Sequence, residues 1–276
     1  MNIRILTDSA AELTKDEIQK DNVIVMQMPM NYDNQEFYDM PIEDFWQVLI
    51  SGKVVRTSQP SRELMKQEFL KAKQEGYALV CIFISAKFSG TLETAQNLKQ
   101  EVGYDQIYIV DSLTATISEK VIVKEAIKLT KQNLTAEQIV SRLNEFAKKV
   151  RIVACLDTLT YLARGGRINR AIAAIGNLIK IKPIIDHKDG KIRLIGKKIG
   201  LNMALKEVVK ICDFNKIDTN YDIIPIFAHD NTNTSNLVKL YKETYPEAKL
   251  VENTSIGPVV GTHIGPGGFG FVYVEK

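Results

Sequence analysis

Short apolar segments alternate with longer amphipathic segments along most of this chain of 276 residues. Continuous apolar runs predict strands that helices cover on both faces. These runs are 3–7, 78–85, 107–110, 152–156 and 223–228. Apolar residues at three- and four-residue spacing predict helices at 62–75, 91–102, 116–131, 136–149, 201–212 and 236–243. This order of elements predicts an α/β fold with largely parallel sheets.

The length of the chain favours two domains and is also compatible with one large domain. Neither an internal repeat nor a low-complexity linker marks a boundary in the sequence. We therefore place the boundary just before the strand expected from residue 151, which gives an N-terminal domain of 1–149 and a C-terminal domain of 150–276. Two stretches, Thr14–Glu17 and Thr135–Gln138, fit the capping-box pattern and predict two helix starts.

Composition excludes several classes of protein. The balance of 36 basic against 33 acidic residues leaves a net charge of +3, which does not favour a nucleic-acid partner. The widely spaced Cys81, Cys155 and Cys212 suggest neither a disulfide framework nor a zinc site. The start of the chain lacks the apolar core of a signal peptide, and no apolar run reaches the roughly 18 residues of a spanning helix. We expect a cytoplasmic protein without a metal or cofactor.

Clusters of small polar residues follow several of the predicted strands. They are 7–9, 57–61, 85–91, 111–112, 157–158 and 229–232. In open α/β sheets, ligands bind outside the carboxyl ends of the strands. Hydroxyls and helix N-termini without a run of Lys or Arg suit a carboxylate better than a polyphosphate. The alternative is that each residue caps the following helix, and we prefer it for Asp111, Asp157 and Asn231 taken singly.

Two of these clusters carry the sharpest ligand prediction. Pro60 has a backbone conformation suited to a first helical turn, so Thr57 and Ser58 are expected to precede a helix at the strand-end crevice. Gly90 allows close approach of a ligand to the backbone, and Ser89 offers a hydroxyl. A simple glycine-containing turn is an equally good interpretation of the second cluster.

The run 257–270 contains six glycines and two prolines and predicts a shaped loop that holds His263. Its imidazole could donate a hydrogen bond to an anion, although a solvated loop histidine is the alternative. Gly265, Gly267 and Gly270 satisfy the spacing of a dinucleotide-binding motif. That motif needs a strand before it and a helix after it, whereas 271–274 reads as a strand, so we reject nucleotide binding.

Residues 161–168 contain a double glycine flanked by Arg164 and Arg167. The pattern predicts a turn between two short helices. Exposed guanidinium groups there could bind an acidic partner, or they could be solvated beside a helix C-cap glycine. The sequence leaves both interpretations open.

Seven of these motifs occur together in an order that closely resembles the DegV family. They are 7–9, 57–61, 89–91, 110–112, 164–168, 181–184 and 261–267, and they span nearly the whole chain. The resemblance implies two α/β domains with a lipid cavity between and within them. It also implies that the fatty-acid carboxylate is bound at Thr57, Ser89 and His263, with Ser58 and Gly90 beside them. Two departures are a lack of glycines at 113–117 and Phe269 in place of a smaller residue.

The resemblance further implies a role as the lipid-carrier subunit of fatty acid kinase. Such a carrier has no catalytic residues and binds no ATP. It presents one long-chain fatty acid to a separate ATP-using subunit that forms the acyl-phosphate, and transient membrane contact is compatible with this role. The basic residues that would face the kinase subunit are Arg164, Arg167, Lys197 and Lys198.

Two rival functions remain open at this stage. Ser89, Asp157 and His263 occur in the chain order of an α/β-hydrolase triad, which predicts a serine hydrolase acting on acyl esters, although the first glycine of the nucleophile elbow is missing. A regulatory DNA-binding protein would require a basic patch, which the near-neutral charge disfavours.

Overall fold

The computed structural model describes residues 2–38, 40–169, 171 and 181–276. Its strands are β1 (Ile3–Asp8), β2 (Ile24–Met26), β3 (Met30–Tyr32), β4 (Gln35–Phe37), β5 (Arg56–Thr57), β6 (Ala78–Phe83), β7 (Ile107–Asp111), β8 (Val150–Cys155), β9 (Ile181–Lys188), β10 (Lys191–Ile199), β11 (Ile224–Phe227), β12 (Thr254–Ser255) and β13 (Phe269–Val274). Its α-helices are α1 (Lys15–Asp21), α2 (Ile42–Ile50), α3 (Arg62–Glu75), α4 (Thr91–Val102), α5 (Ile117–Thr130), α6 (Ala136–Ala147), α7 (Thr160–Arg164), α8 (Leu201–Ile211), α9 (Thr232–Thr244) and α10 (Pro258–Ile264). Short 3-10 helices span Ser9–Ala11 and Phe214–Lys216.

The described chain divides into two compact units that are not continuous in sequence. The first unit comprises Met1–Tyr38, Thr57–Lys148 and Asp189–Lys191. The second unit comprises Asp39–Arg56, Lys149–Lys188 and Ile192–Lys276. Thus α2 belongs to the second unit, although strands of the first unit precede and follow it in the sequence.

The first unit contains the parallel sheet that the apolar runs predict. Its strand order is β2-β1-β6-β7, and every described pairing in it is parallel. All six residues of β6 are buried, which explains its unbroken apolar sequence. Helices α3 and α4 have the predicted bounds, and the capping boxes at Thr14 and Thr135 are both present. Strands β3 and β4 of this unit pair antiparallel in a small sheet, whose third strand, β5, contributes Thr57 to this unit.

The second unit is also α/β, but its sheet departs from the expected parallel arrangement. The order is β10-β9-β8-β13-β11-β12. The pairings of β8 with β9, β8 with β13, and β11 with β13 are antiparallel, whereas β11 and β12 are parallel. The C-terminal strand β13 lies between β8 and β11, so these two run parallel to each other without pairing. Their carboxyl ends meet the start of β13 at one edge of the sheet.

Each unit has its own hydrophobic core. The core of the first unit packs α3 and α4 against β6, with Met65, Phe69 and Leu98 fully buried. The core of the second unit packs α8 and α9 against β8 and β13, with Tyr241 and Phe271 fully buried. The free cysteines Cys81, Cys155 and Cys212 are buried among these residues. Among the described residues, each helix is too short or too polar to cross a bilayer.

Candidate functional site

In the first unit, the two sharpest polar clusters come together. Gly90, which precedes α4, lies beside the Gln59 side chain, and a Cβ added at Gly90 would be 3.2 Å from Gln59 Oε1. The same Gln59 oxygen accepts a hydrogen bond of 3.0 Å from the Thr94 hydroxyl on α4. The segment after β5 is therefore joined to the start of α4. Gln59 was not among the predicted site residues, although it lies within the predicted motif.

Hydroxyl groups surround the N-terminus of α4. The Ser89 and Thr91 hydroxyl oxygens are 2.8 Å apart, and Ser89 Oγ also accepts a hydrogen bond of 3.3 Å from the Thr91 backbone N–H. The N-cap residue is Gly90, so the helix start has no side-chain cap of its own. A helix N-terminus carries partial positive charge from its free N–H groups and attracts an anion. Ser89 is half-buried and Thr91 is buried.

The segment before α3 differs in one detail from the expectation. Ser61 is the N-cap of α3, and its side chain accepts a hydrogen bond from the backbone N–H of Leu64. Pro60 therefore precedes the cap instead of occupying the first helical turn. Thr57 ends β5 and is half-buried, and Ser58 is exposed with its backbone N–H bonded to the carbonyl of Pro29 at 3.0 Å.

Two fully buried carboxyl groups lie at the carboxyl edge of the first sheet. Asp8 ends β1 and accepts hydrogen bonds of 3.0 Å from the backbone N–H groups of Ala10 and Ile84. Burial raises the pKa of Asp8 to about 7, against the opposing effect of these two bonds. Burial also raises the pKa of Glu119 on α5, and the charge of Asp8 adds to the effect. The Thr7 hydroxyl donates to Glu119 at 3.4 Å. These carboxyls are structural neighbours of the polar clusters and would repel an anion if both were ionised.

In the second unit, His263 lies on a helix and not in the expected glycine-rich loop. Residues 258–264 form α10, with Pro258 in its first turn and Gly265 at its end. Glycine disfavours helix by about 1 kcal/mol relative to alanine, which explains the loop prediction. The strand expected after the glycine run is confirmed and extends over Phe269–Val274. The third glycine of the dinucleotide spacing, Gly270, lies within this strand, so the motif leads into a strand where a dinucleotide site needs a helix.

The double glycine contacts the His263 ring. Helix α7 ends in a Schellman motif, in which the N–H of Gly166 bonds to the carbonyl of Ala163 and the N–H of Arg167 bonds to that of Leu162. Gly166 has the left-handed conformation that this motif requires, with φ of +74°. Gly165 has an ordinary conformation, but a Cβ there would be 2.3 Å from His263 Nδ1. Gly166 therefore provides the left-handed turn, and Gly165 leaves space for the His263 ring. The second helix expected after the double glycine lies outside the described residues.

Burial and the nearby Arg167 keep His263 neutral at neutral pH. The Arg167 side chain is half-buried and donates a hydrogen bond to the Gly165 carbonyl, beside the His263 ring. Burial and, as the smaller cause, the positive charge of Arg167 lower the pKa of His263 to about 4. At neutral pH this part of the second unit therefore presents a guanidinium cation beside a neutral imidazole.

The geometry does not support the hydrolase triad. Asp157 follows β8, and its Oδ1 pairs with Lys182 Nζ on β9 at 2.6 Å. The charged group that acts on His263 is the cation Arg167, whereas a triad needs a carboxylate there to stabilise an imidazolium. Asp157 thus pairs with a lysine instead of orienting the histidine.

The four basic residues assigned to a protein partner differ in their surroundings. Arg164 is exposed on α7, with its guanidinium 5.6 Å from the Tyr161 ring centroid. Lys197 on β10 is exposed, while Lys198 forms an ion pair of 2.9 Å with Glu207. Arg167 donates to the Gly165 carbonyl, beside the His263 ring. The sequence gives no signal for this separation, because the two arginines flank the same turn.

The described residues bring together no group of three or more His, Cys, Asp or Glu side chains that could hold a metal ion.

Comparisons with known proteins agree with the motif pattern. A family model described as "Uncharacterised protein, DegV family" matches residues 2–276. A DegV domain-containing protein of Caldanaerobacter subterraneus subsp. tengcongensis is 27% identical over 99% of both chains.

Solved structures extend the likeness to the fold. A fatty-acid-binding DegV family protein of Streptococcus agalactiae is 25% identical, with a TM-score of 0.89 over 100% of this chain and 99% of that chain. A stearic-acid-binding protein of Eubacterium ventriosum is 26% identical, with a TM-score of 0.86 over the same shares of the two chains.

Proposed function

This chain belongs to the DegV family, and on that premise we propose that it binds one long-chain fatty acid. The carboxylate is bound by Thr57, Ser58, Ser89, Gly90 and His263. The two solved relatives named above are described as binding fatty acid or stearic acid. A neighbour from Thermus thermophilus, 25% identical with a TM-score of 0.87, is likewise described as binding fatty acid.

The observation that carries the proposal is the position of Arg167 at the Gly165 carbonyl, beside the neutral His263 ring. A neutral imidazole donates one N–H to a carboxylate, while the guanidinium supplies the compensating charge. Partial burial of both side chains strengthens these interactions because less water competes. Together they fit one singly charged head group.

The first unit supports the same ligand chemistry. Ser89 offers a hydroxyl at the start of α4, where the N-cap residue Gly90 supplies no side-chain cap. Gln59 and Thr94 hold the start of α4 beside the Thr57–Ser58 segment, so the donors are positioned before a ligand arrives. Pre-positioned donors cost less ordering entropy on binding.

We further propose that the protein is a carrier without chemistry of its own and that it presents the carboxylate to an ATP-using fatty acid kinase subunit. Arg164, Lys197 and Lys198 would contact that subunit. We assign Arg167 to the carboxylate as well, because its guanidinium is half-buried beside His263. A serine hydrolase is the less favoured alternative, since Asp157 pairs with Lys182.

The proposal is tested first by identifying small molecules released from the denatured protein after bacterial expression. We expect one fatty acid per chain by mass spectrometry, and none from a mock purification. If no fatty acid is released, either directly or after incubation of the protein with fatty acids, the proposed carrier function is wrong.

The positions of the carboxylate donors are tested by Ser89→Ala and His263→Ala. Each variant should weaken fatty-acid binding by about 1.5–3 kcal/mol, which is the usual effect of losing a hydrogen bond to a charged group. Ile50→Ala is a suitable control because Ile50 is 51% exposed on α2. Parental affinity in both test variants would mean that the carboxylate lies elsewhere. Hydrolysis of a chromogenic acyl ester that disappears in Ser89→Ala would favour the hydrolase.

A further inference from the structure

Helix α2 contacts the helix that carries His263. Phe45, Trp46 and Leu49 on α2 are buried, with relative exposures of 0%, 2% and 3%. Helix α2 packs against α10 within the second unit. The Phe45 and Trp46 rings also contact each other, with centroids 4.7 Å apart.

Gly261 is the point of closest approach between these helices. A Cβ added there would be 2.9 Å from Phe45 Cε1 and 3.0 Å from Trp46 Cη2. Gly261 lies inside a helix, where glycine is normally unfavourable. Its presence is therefore explained by the aromatic rings, which occupy the space of a side chain.

The opposite face of α10 is equally confined. Residues two apart on a helix point about 200° from each other, so His263 faces away from the α2 side. There the His263 ring meets Gly165. At the C-terminal end of α10, a Cβ at Gly265 would be 2.2 Å from Tyr161 Cδ2 on α7. Helix α10 is seven residues long and packs against α2 and α7, with no room for an added methyl group at Gly261 or Gly265.

We propose that Phe45 and Trp46 are positioning residues, which press α10 through Gly261 so that His263 is held against Gly165 in its ligand-binding place. This inference rests on the proposed function, since the ligand that His263 binds is the fatty-acid carboxylate. The Trp46 ring also approaches His229 at 5.8 Å between centroids. The Trp46 indole N–H is buried and has no hydrogen-bond partner among the described residues, so packing determines its position.

The test is Gly261→Ala, with fatty-acid affinity and His263 titration as the two readouts. The added methyl group should move α10 by several tenths of an ångström and misplace the imidazole. We expect fatty-acid binding to weaken about tenfold or more, in line with the loss of a hydrogen bond to a charged group. Histidine NMR should show the His263 pKa returning from about 4 toward its ordinary value as the ring leaves its buried place. His263→Asn assigns the signal among the 3 histidines.

Gly196→Ala is the matched control in the same unit. The atoms nearest to a Cβ at Gly196 belong to Ile184, the first at an ordinary 3.5 Å, so both readouts should stay at parental values. Phe45→Leu removes the atoms nearest to the new methyl group, and in the Gly261→Ala background it should restore part of the lost affinity.

The outcomes separate the inference from the proposed function. A Gly261→Ala variant with parental affinity and parental His263 titration, even if its melting temperature falls, would overturn the positioning role. If the parent itself binds no fatty acid, the proposed function fails, and the His263 titration alone still decides whether α2 positions this histidine.

Discussion

Replacing His263 by Asn should remove part of the acid sensitivity of folding. Burial and the charge of Arg167 lower the pKa of His263 in the folded protein to about 4, from an ordinary 6.5. The unfolded chain therefore takes up a proton at a pH where the folded chain does not. Stability contributed by the neutral ring is fully present above pH 6.5 and is lost as the pH falls toward 4.

The size of the effect follows from the two pKa values. The whole shift corresponds to about 3 kcal/mol, and at pH 5 about 2 kcal/mol of unfolding free energy has been lost relative to pH 8. His263→Asn cannot lose this amount, because asparagine does not titrate. The variant also loses packing, but that loss is nearly the same at both pH values and cancels in the comparison.

Urea unfolding at pH 8, 7, 6 and 5 measures the effect. Trp46 is the only tryptophan and lies in the second unit with His263, so its fluorescence reports the relevant part of the molecule. The difference in unfolding free energy between parent and variant should shrink by about 2 kcal/mol from pH 8 to pH 5. Ile50→Ala should keep the pH dependence of the parent. If the unfolding free energy of the parent and of His263→Asn changed equally with pH, the reasoning would be refuted.

Two further changes test the packing and charge of the units. Glu119→Gln should make the first unit more stable relative to the parent at pH 8 than at pH 5. Burial raises the Glu119 pKa, so the folded parent loses stability as the pH rises above 4.5 toward the folded pKa. Hydrogen exchange of the β1 and β6 amides would measure this loss. The same stability difference between variant and parent at pH 5 and pH 8 would contradict the prediction. Gly165→Ala should cost about 1–3 kcal/mol of unfolding free energy because its methyl group overlaps the His263 ring. Melting curves would detect this loss of stability. A smaller loss for Gly165→Ala than for Gly166→Ala would contradict the inference that Gly165 is needed to leave space for the His263 ring.

The first unit could be predicted closely because its signals are local. Continuous apolar strands and capping residues depend on neighbours in the sequence, so α3 and α4 have the expected bounds. The arrangement of the second sheet depends on where the last strand inserts. β13 enters between β8 and β11 and reverses the pairings, and an apolar strand looks the same in either direction.

The stretch without glycines after β7 shows a different kind of limit. Leu113 and Thr116 have φ of 57° and 60°, in the left-handed region that favours glycine. The Thr116 hydroxyl donates to Glu12 at 2.9 Å, and the Thr116 carbonyl accepts the Glu119 N–H at 2.9 Å. These bonds offset the backbone strain, so the loop keeps a glycine-like shape with other residues. The sequence indicated the unusual position but not the contacts that make it tolerable.

The two arginines beside the double glycine should have different functions, because the Schellman turn separates them. Arg164 remains on the exposed face of α7, whereas Arg167 follows the left-handed Gly166 and turns toward His263. Arg164→Ala should therefore keep parental fatty-acid affinity and slow only acyl-phosphate formation with the kinase subunit. Arg167→Ala should weaken fatty-acid binding and raise the His263 pKa, since the repelling charge is gone. Isothermal titration and histidine NMR measure both effects, and equal fatty-acid affinity in the two variants would show that Arg167 belongs with Arg164 on the partner surface.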